Sequence, residues 1–508
     1  MNFKAAAHVV SVLLVITGFC ILSAAPVSWL MGDPARDVEL FILCALIPIC
    51  AGVLSAYYTR PRQGKLKLGI REGFGIVTFT WLAAGIFGAL PFVLIADFHW
   101  YDAFFETMSG FTTTGASVIE KNLVLSSGKI LNCGLEGISR GLIYWRSLTH
   151  WLGGMGIVVL SLAILPFLGI GGQQLYNAEV PGFSSDQLTP RIASSAKILW
   201  GVYLLFSVLE TILLYAGGMS LFDSWCTTCG TVATGGFSTR QDSIGAYDNA
   251  YFDIVITVFM FLAGANFLLH FKALCGRTLT YFRDSEFVFY LFLTVVAVLT
   301  VSFSIYGTQI TTTNGKIVEG NFFNSLRYSS FQVVSIFTTT GFCTADFDKW
   351  PAYSKIILVS LMFIGGCGAS TGGGMKNSRV LLLFKHAIFQ IRYCLFPHAV
   401  PNIRLNNRRI DTATLHETLC FFFIFLMIFL SSSILVSVFC STDILTAATA
   451  SVASLGNVGP GLGGVGAMFT YAWMDPAAKL TLTIVMLLGR LEIYTVLVLL
   501  LPSFWRKY

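Results

Sequence analysis

Along the 508-residue chain, long apolar runs alternate with short polar connectors from end to end. A helix of ~20 apolar residues crosses a hydrocarbon core. The pattern predicts such spans near 8–30, 39–58, 73–96, 143–170, 196–217, 250–274, 286–306, 355–384, 415–440 and 478–501. Between several spans stands a second kind of stretch. An amphipathic segment too short to cross, "YDAFFETMSGF" (101–111), leads into the polar run "GFTTTGAS" (110–117) before the next span begins.

That arrangement recurs three more times. "LFDSWCTTCGTVA" (221–233) leads into "TVATGGFSTR" (231–240), and "NSLRYSSFQVVSIF" (324–337) into "SIFTTTGFCTAD" (335–346). "TDILTAATASVAS" (442–454) leads into "SLGNVGPGLGG" (454–464). Aligned, the copies share Gly115, Gly236, Gly341 and Gly459, spaced 121, 105 and 118 residues apart. A fixed period of this kind marks internal structural repeats. The expected fold is an all-α polytopic membrane protein of about ten transmembrane helices. It has four channel-like repeats (helix, half-helix, loop, helix) around one pore, and an N-terminal transmembrane hairpin. The expected boundaries are 1–68 for the hairpin, 69–190, 191–280 and 281–410 for the first three repeats, and 411–508 for the fourth.

Composition fits lipid as the solvent: 55% of residues are hydrophobic and 11% charged, with a mean hydropathy of +0.74, against ~25% charged in an ordinary soluble domain. The first span resembles a cleavable leader, but its apolar part is long and a second span follows closely, so a retained helix is expected. Lys and Arg concentrate in "TRPRQGKLKLGIR" (59–71), 272–286, 404–410 and the tail "WRKY". With ten spans these all fall on one side, which the positive-inside rule makes cytoplasmic, together with both termini. The net charge of +6 is then a topological signature, and nucleic acid is not an expected partner. Most of the twelve cysteines sit in apolar runs as small buried residues. "WCTTCG" (225–230) matches a redox spacing but lacks a βαβ context.

Non-helical backbone at membrane depth is tolerated where it is buried in protein or lines a watery path. Four glycine loops around an axis could turn their carbonyls inward and replace a cation's hydration shell, with four half-helix C-termini aimed at the same place. The expected K⁺ ligands are the backbone carbonyls of Thr113, Thr114 and Gly115; Thr234, Gly235 and Gly236; Thr339, Thr340 and Gly341; and Asn457, Val458 and Gly459. No other cofactor is expected. The span at 355–384 is interrupted by six glycines between Gly365 and Gly374, a poor helix interior. It reads as a movable constriction, involving Gly372, Gly373, Gly374 and Lys376, or as a kink for close packing. Arg490 lies mid-span, where an arginine faces a cavity or a partner. Lys376 and Arg490 are expected as gate and barrier charges, with structural pairing to a carboxylate or to loop carbonyls as the competing reading.

With "HWLGGMGIVVLSLAILP" (150–166), "GGCGASTGGGMK" (365–376) and "NVGPGLG" (457–463), the four loops make the chain similar to the Trk-type potassium uptake family, which shares its fold with Ktr and plant HKT-type proteins. The resemblance covers nearly the whole chain. It implies K⁺ uptake across the bacterial inner membrane and a gating loop below the filter at 365–374. It also implies Arg490 in the pore beneath the filter, a homodimer, and a cytosolic nucleotide-binding regulatory subunit of the TrkA type. In plant relatives a serine at the first filter glycine accompanies sodium preference, and this chain has Gly115. "MKNSR" (375–379) departs from the family, where an aliphatic pair is commoner after the lysine. The alternatives are a sodium-conducting or Na⁺/H⁺-coupled member and, from another class, a multispan membrane enzyme.

Overall fold

The structure is a computed structural model describing residues 2–60, 69–156, 192–397, 403–406 and 408–506. Among the described residues six helices are long and apolar enough to cross a membrane: Phe3–Leu30, Ala35–Thr59, Ile70–Leu94, Lys197–Ala216, Ser285–Ile305 and Thr412–Cys440. Two further expected spans are bent rather than straight. Ala250–Ala263 and Phe267–Leu274 meet at 101°, and Pro476–Arg490 and Tyr494–Leu500 at 117°. The expected span 355–384 is broken into Ala352–Met362 and Asn377–Leu395. The expected span 143–170 begins as the helix Arg140–Gly154, and its second half lies outside the described residues.

The breaks have local causes. Glu492 and Ile493, just beyond the C-cap Leu491, both adopt positive φ (52° and 56°), and a helix cannot continue through such residues. Asn266 ends the other bend by accepting from the amide of Leu268, an N-cap that starts a new helix in a new direction.

Four short helices sit between the spans: Trp100–Phe111, Leu221–Val232, Phe322–Phe337 and Ile444–Leu455. Three are started by polar side chains at the N-cap, Ser220, Asn321 and Asp443, each accepting a first-turn amide. Their C-terminal turns are buried, and each runs directly into one of the glycine loops. Three two-stranded hairpins, Leu123–Leu131, Gln309–Glu319 and Arg404–Arg409, add the little β-structure present among the described residues.

Charged pairs fasten the short helices to their neighbours. Asp102 and Lys479 (2.6 Å, both buried) join the first to Pro476–Arg490, and Asp253 and Arg327 (2.7 Å) join Ala250–Ala263 to the third. Residues near the two ends of the chain also meet. Phe3 stacks on Trp505 at 5.9 Å, and Arg71 donates to the carbonyl of Arg506 (3.0 Å).

Candidate functional site

Each short helix ends in the same way. Thr113, Thr234, Thr339 and Asn457 take left-handed φ of 53°, 53°, 62° and 54°. Two residues later Gly115, Gly236, Gly341 and Gly459 take φ of 79°, 81°, 83° and 96°, while the residue between does not turn positive. The amides of Thr114, Gly235, Thr340 and Val458 reach back to the carbonyls of Ser109, Gly230, Ser335 and Ala453 at 2.7 to 2.9 Å. These bonds satisfy last-turn carbonyls, as in other left-handed helix caps. Alternating the sign of φ turns successive carbonyls toward the same side of the strand, so four unlike sequences give one backbone shape.

The four loops close on one another. A Cβ added at Gly115 would strike the carbonyl oxygen of Gly235, and one at Gly236 that of Thr340. One at Gly341 would strike the carbonyl of Val458, and one at Gly459 would lie 2.5 Å from that of Thr114. Each glycine therefore abuts the carbonyl that precedes the next glycine, and the fourth returns to the first. No side chain fits at these positions, both for this contact and for the positive φ.

Side chains stitch the ring differently in each quarter. The hydroxyls of Thr112 and Thr114 are 2.8 Å apart, as are those of Thr338 and Thr340. The second and fourth copies carry Ala233 with Gly235 and Gly456 with Val458 at those places. Asn457, standing where the others have threonine, donates its amide to Thr114 Oγ1 (3.0 Å) and to the carbonyl of Met486 (2.9 Å). It ties the last repeat to the first, a role its departure from the threonine pattern did not reveal.

Behind the ring lies a buried ion pair that the sequence reading missed. Arg146 Nε and Glu106 Oε1 are 2.6 Å apart at 3% and 0% side-chain exposure. Glu106 also accepts from Ser117 Oγ and the Val118 amide, three residues past the first ring glycine. Arg146 donates to the carbonyl of Ser238 (3.0 Å) and lies 3.4 Å from the Phe237 ring centre. In the third repeat Gln332 does the matching work, accepting from the Thr344 amide (3.2 Å). The signal was present: Glu106 and Gln332 stand at the same distance before their glycines.

Cavities lie on both sides of the ring. One is lined by all four ring glycines, with Ser238 and Tyr471. The other is lined by Gly372, Gly373, Gly374, Lys376, Arg490 and Glu492. The segment that breaks the 355–384 span stands between this second cavity and the ring. Its stems pair at Ile364 and Met375, and its tip is bonded to the surrounding repeats. Thr371 Oγ1 donates to the carbonyls of Val232 (3.0 Å) and Ala263 (3.2 Å), and the Gly373 amide donates to Thr339 Oγ1 (2.7 Å).

Both expected cations are at this loop. Lys376 Nζ donates to the carbonyl of Gly372 (2.5 Å). Arg490 donates to the carbonyl of Thr371 (2.6 Å) and to those of Gly153 (2.6 Å) and Gly154 (2.7 Å). Both cations thus donate to carbonyls of the loop, and Arg490 donates as well to the last two carbonyls of the helix Arg140–Gly154. Glu492 pairs with Arg379 (2.6 Å), which also lies 4.1 Å from the Phe421 ring centre.

Cys226 and Cys229 are buried free thiols inside the second short helix. Among the described residues no group of three or more His, Cys, Asp or Glu side chains is placed to hold a metal ion.

Comparison with known proteins agrees with this architecture. The family model TrkH, described as "Cation transport protein", matches residues 41–507. The Trk system potassium uptake protein TrkH of Salmonella typhimurium is 37% identical, with both chains covered in full. The Trk system potassium uptake protein TrkG of Escherichia coli K12 is 32% identical over 93% of each chain. The crystal structure of the potassium transporter TrkH from Vibrio parahaemolyticus superposes over the whole of both chains with a TM-score of 0.84 at 32% identity. This chain, a multi-pass membrane protein and not an enzyme, belongs to the TrkH family of cation transport proteins.

Proposed function

We propose that this protein takes up K⁺ across the bacterial inner membrane, with the ring of four loops as its selectivity filter. The closed contact of each ring glycine with the next repeat's carbonyl carries the reading. It leaves room at the axis for backbone oxygens and excludes side chains, the arrangement that replaces the hydration shell of a weakly hydrated monovalent cation. Four helix C-termini aimed at the ring add a negative potential there. The K⁺-binding carbonyls are those of Thr113, Thr114, Gly115, Thr234, Gly235, Gly236, Thr339, Thr340, Gly341, Asn457, Val458 and Gly459. The potassium uptake named for the relatives favours K⁺ as the cargo.

The segment 365–376 is the gate in this reading. Gly372, Gly373 and Gly374 stand across the path beneath the filter, and Lys376 and Arg490 are the charges that hold the segment there. Arg490 serves as barrier and as anchor together, since its three acceptor carbonyls come from two different repeats. The contacts between the two ends support a topology with both on one side of the membrane, which the positive-inside rule makes the cytoplasmic side. A homodimer regulated by a cytosolic nucleotide-binding subunit completes the proposal.

Growth of a K⁺-uptake-deficient bacterium at low K⁺ tests it. Expression of the chain should restore growth and rubidium uptake. No rescue by well-expressed, membrane-inserted protein would overturn the assignment. Rescue that depends on external Na⁺ would favour a sodium-coupled transporter instead.

A further inference from the structure

The ends of the loop at 363–376 are held by one carboxylate that the gate reading does not use. Glu286, in the first turn of the span Ser285–Ile305, is buried at 8% exposure. Its Oε1 accepts from the amide of Gly368 at 2.7 Å and from that of Ser378 at 2.9 Å. These donors flank the tip, one in the loop's ascending arm and one in the first turn of the helix that follows it. One carboxylate oxygen thus bridges both arms, adding to the direct bonds between them from the Gly365 amide to Met375 (2.9 Å) and from Asn377 Nδ2 to Gly365 (2.7 Å). Bonds to an ionised acceptor are about twice as strong as neutral ones.

The residues just before Glu286 are gripped from below. Asn406, at the turn of the hairpin Arg404–Arg409 and in left-handed conformation (φ 47°), accepts from the Ser285 amide through Oδ1 (2.7 Å). Its Nδ2 donates to Asp284 Oδ2 (2.8 Å) and its own amide to Ser285 Oγ (3.3 Å). The hairpin is itself anchored, through buried Ile403 packed with Leu382 and Leu415 and through Lys385 Nζ on the carbonyl of Arg404 (2.7 Å). A continuous run of bonds therefore leads from the hairpin through residues 284–286 to both arms of the loop.

We propose that Glu286 is the positioning residue that clasps the gate in the conformation seen here, and that the hairpin at 403–410 sets Glu286 in place through Asn406. The inference rests on the reading of 365–376 as the gate. Withdrawing the carboxylate frees two amides at once and leaves the arms joined only by their direct bonds. Tilting the hairpin would withdraw it without touching the loop.

Rubidium and sodium uptake into proteoliposomes of the purified full-length protein tests this. Glu286→Ala should raise basal rubidium flux roughly tenfold or more, the scale of losing two hydrogen bonds to a charged acceptor. The preference for rubidium over sodium should be kept, since the filter is untouched. Glu286→Gln, which retains one acceptor oxygen, should fall between wild type and alanine. Asn406→Ala should raise flux in the same direction and add little on the Glu286→Ala background, because the two residues act in series. A variant lacking Gly372–Gly374 tests the gate separately. If that deletion raises flux and Glu286→Ala does not, the clasp is refuted and the gate stands. If the deletion leaves flux unchanged, the gate reading fails and the clasp with it. A Glu286→Ala flux increase accompanied by lost ion preference would mark a collapsed pore and would also overturn the inference. Fully additive effects of Asn406→Ala and Glu286→Ala would remove the hairpin from the chain of contacts.

Discussion

Substituting Gly115 by serine probes the ring most directly, because the structure supplies its own control. Gly115 has φ +79°, and Gly128, in an outer connector, has φ +80° with no atom within 4 Å of the position a Cβ would take. A serine at either site bears the left-handed penalty of about 1–2 kcal/mol. Only at Gly115 does the new Cβ also run into the carbonyl oxygen of Gly235, inside the 3.0 Å below which such contacts do not occur. Relief requires moving that ring carbonyl oxygen by about 1 Å, and misplacing a positioned group by that much costs on the order of 100-fold in catalysis. Rubidium-over-sodium preference in uptake assays should fall at least about tenfold in Gly115→Ser, a conservative share of that figure. Gly128→Ser should lose comparable stability and keep its preference. Equal preferences in the two variants, at matched membrane abundance, would refute the idea that the carbonyl contact sets selectivity.

Glu106→Ala should cost about 3–5 kcal/mol by stranding the buried Arg146 charge; thermal unfolding in detergent would register it, and Glu106→Gln should recover only a small part, since its single amide oxygen replaces one of the two that accept from Ser117 and Val118. Arg490→Ala removes three bonds to carbonyls beneath the ring, so rubidium flux should rise, and unchanged flux would sink its barrier role. Asn457→Ala cuts the bond joining the fourth loop to Thr114 and should cost about 1 kcal/mol, seen as a lower melting temperature with weakened ion preference. Replacing Cys226 and Cys229 with alanine should leave the response of uptake to added reductant or oxidant the same as wild type, since both thiols are buried and free.

The sequence by itself determined the solvent, the repeat and the ring positions. Apolar runs of membrane-crossing length needed no partner to be recognised, because lipid acts on each segment separately. The glycines at 115, 236, 341 and 459 were legible because a positive φ is a local requirement that glycine alone meets freely. Their neighbours could vary from threonine to valine because the backbone, not the side chain, carries the shape.

What the tertiary structure decided was everything that depends on which segments meet. Arg490 read as a lone buried charge, and only the fold brought the carbonyls of Thr371, Gly153 and Gly154 to it. The pair of Glu106 and Arg146, forty residues apart in sequence, and the clasp of Glu286 on amides some ninety residues away follow no local period. The bends after Ala263 and Arg490 were likewise invisible to hydropathy, which sums composition and is blind to direction. Local rules fix what each segment prefers; long-range contacts between buried polar groups, each needing a partner where water is absent, fix where the segments go.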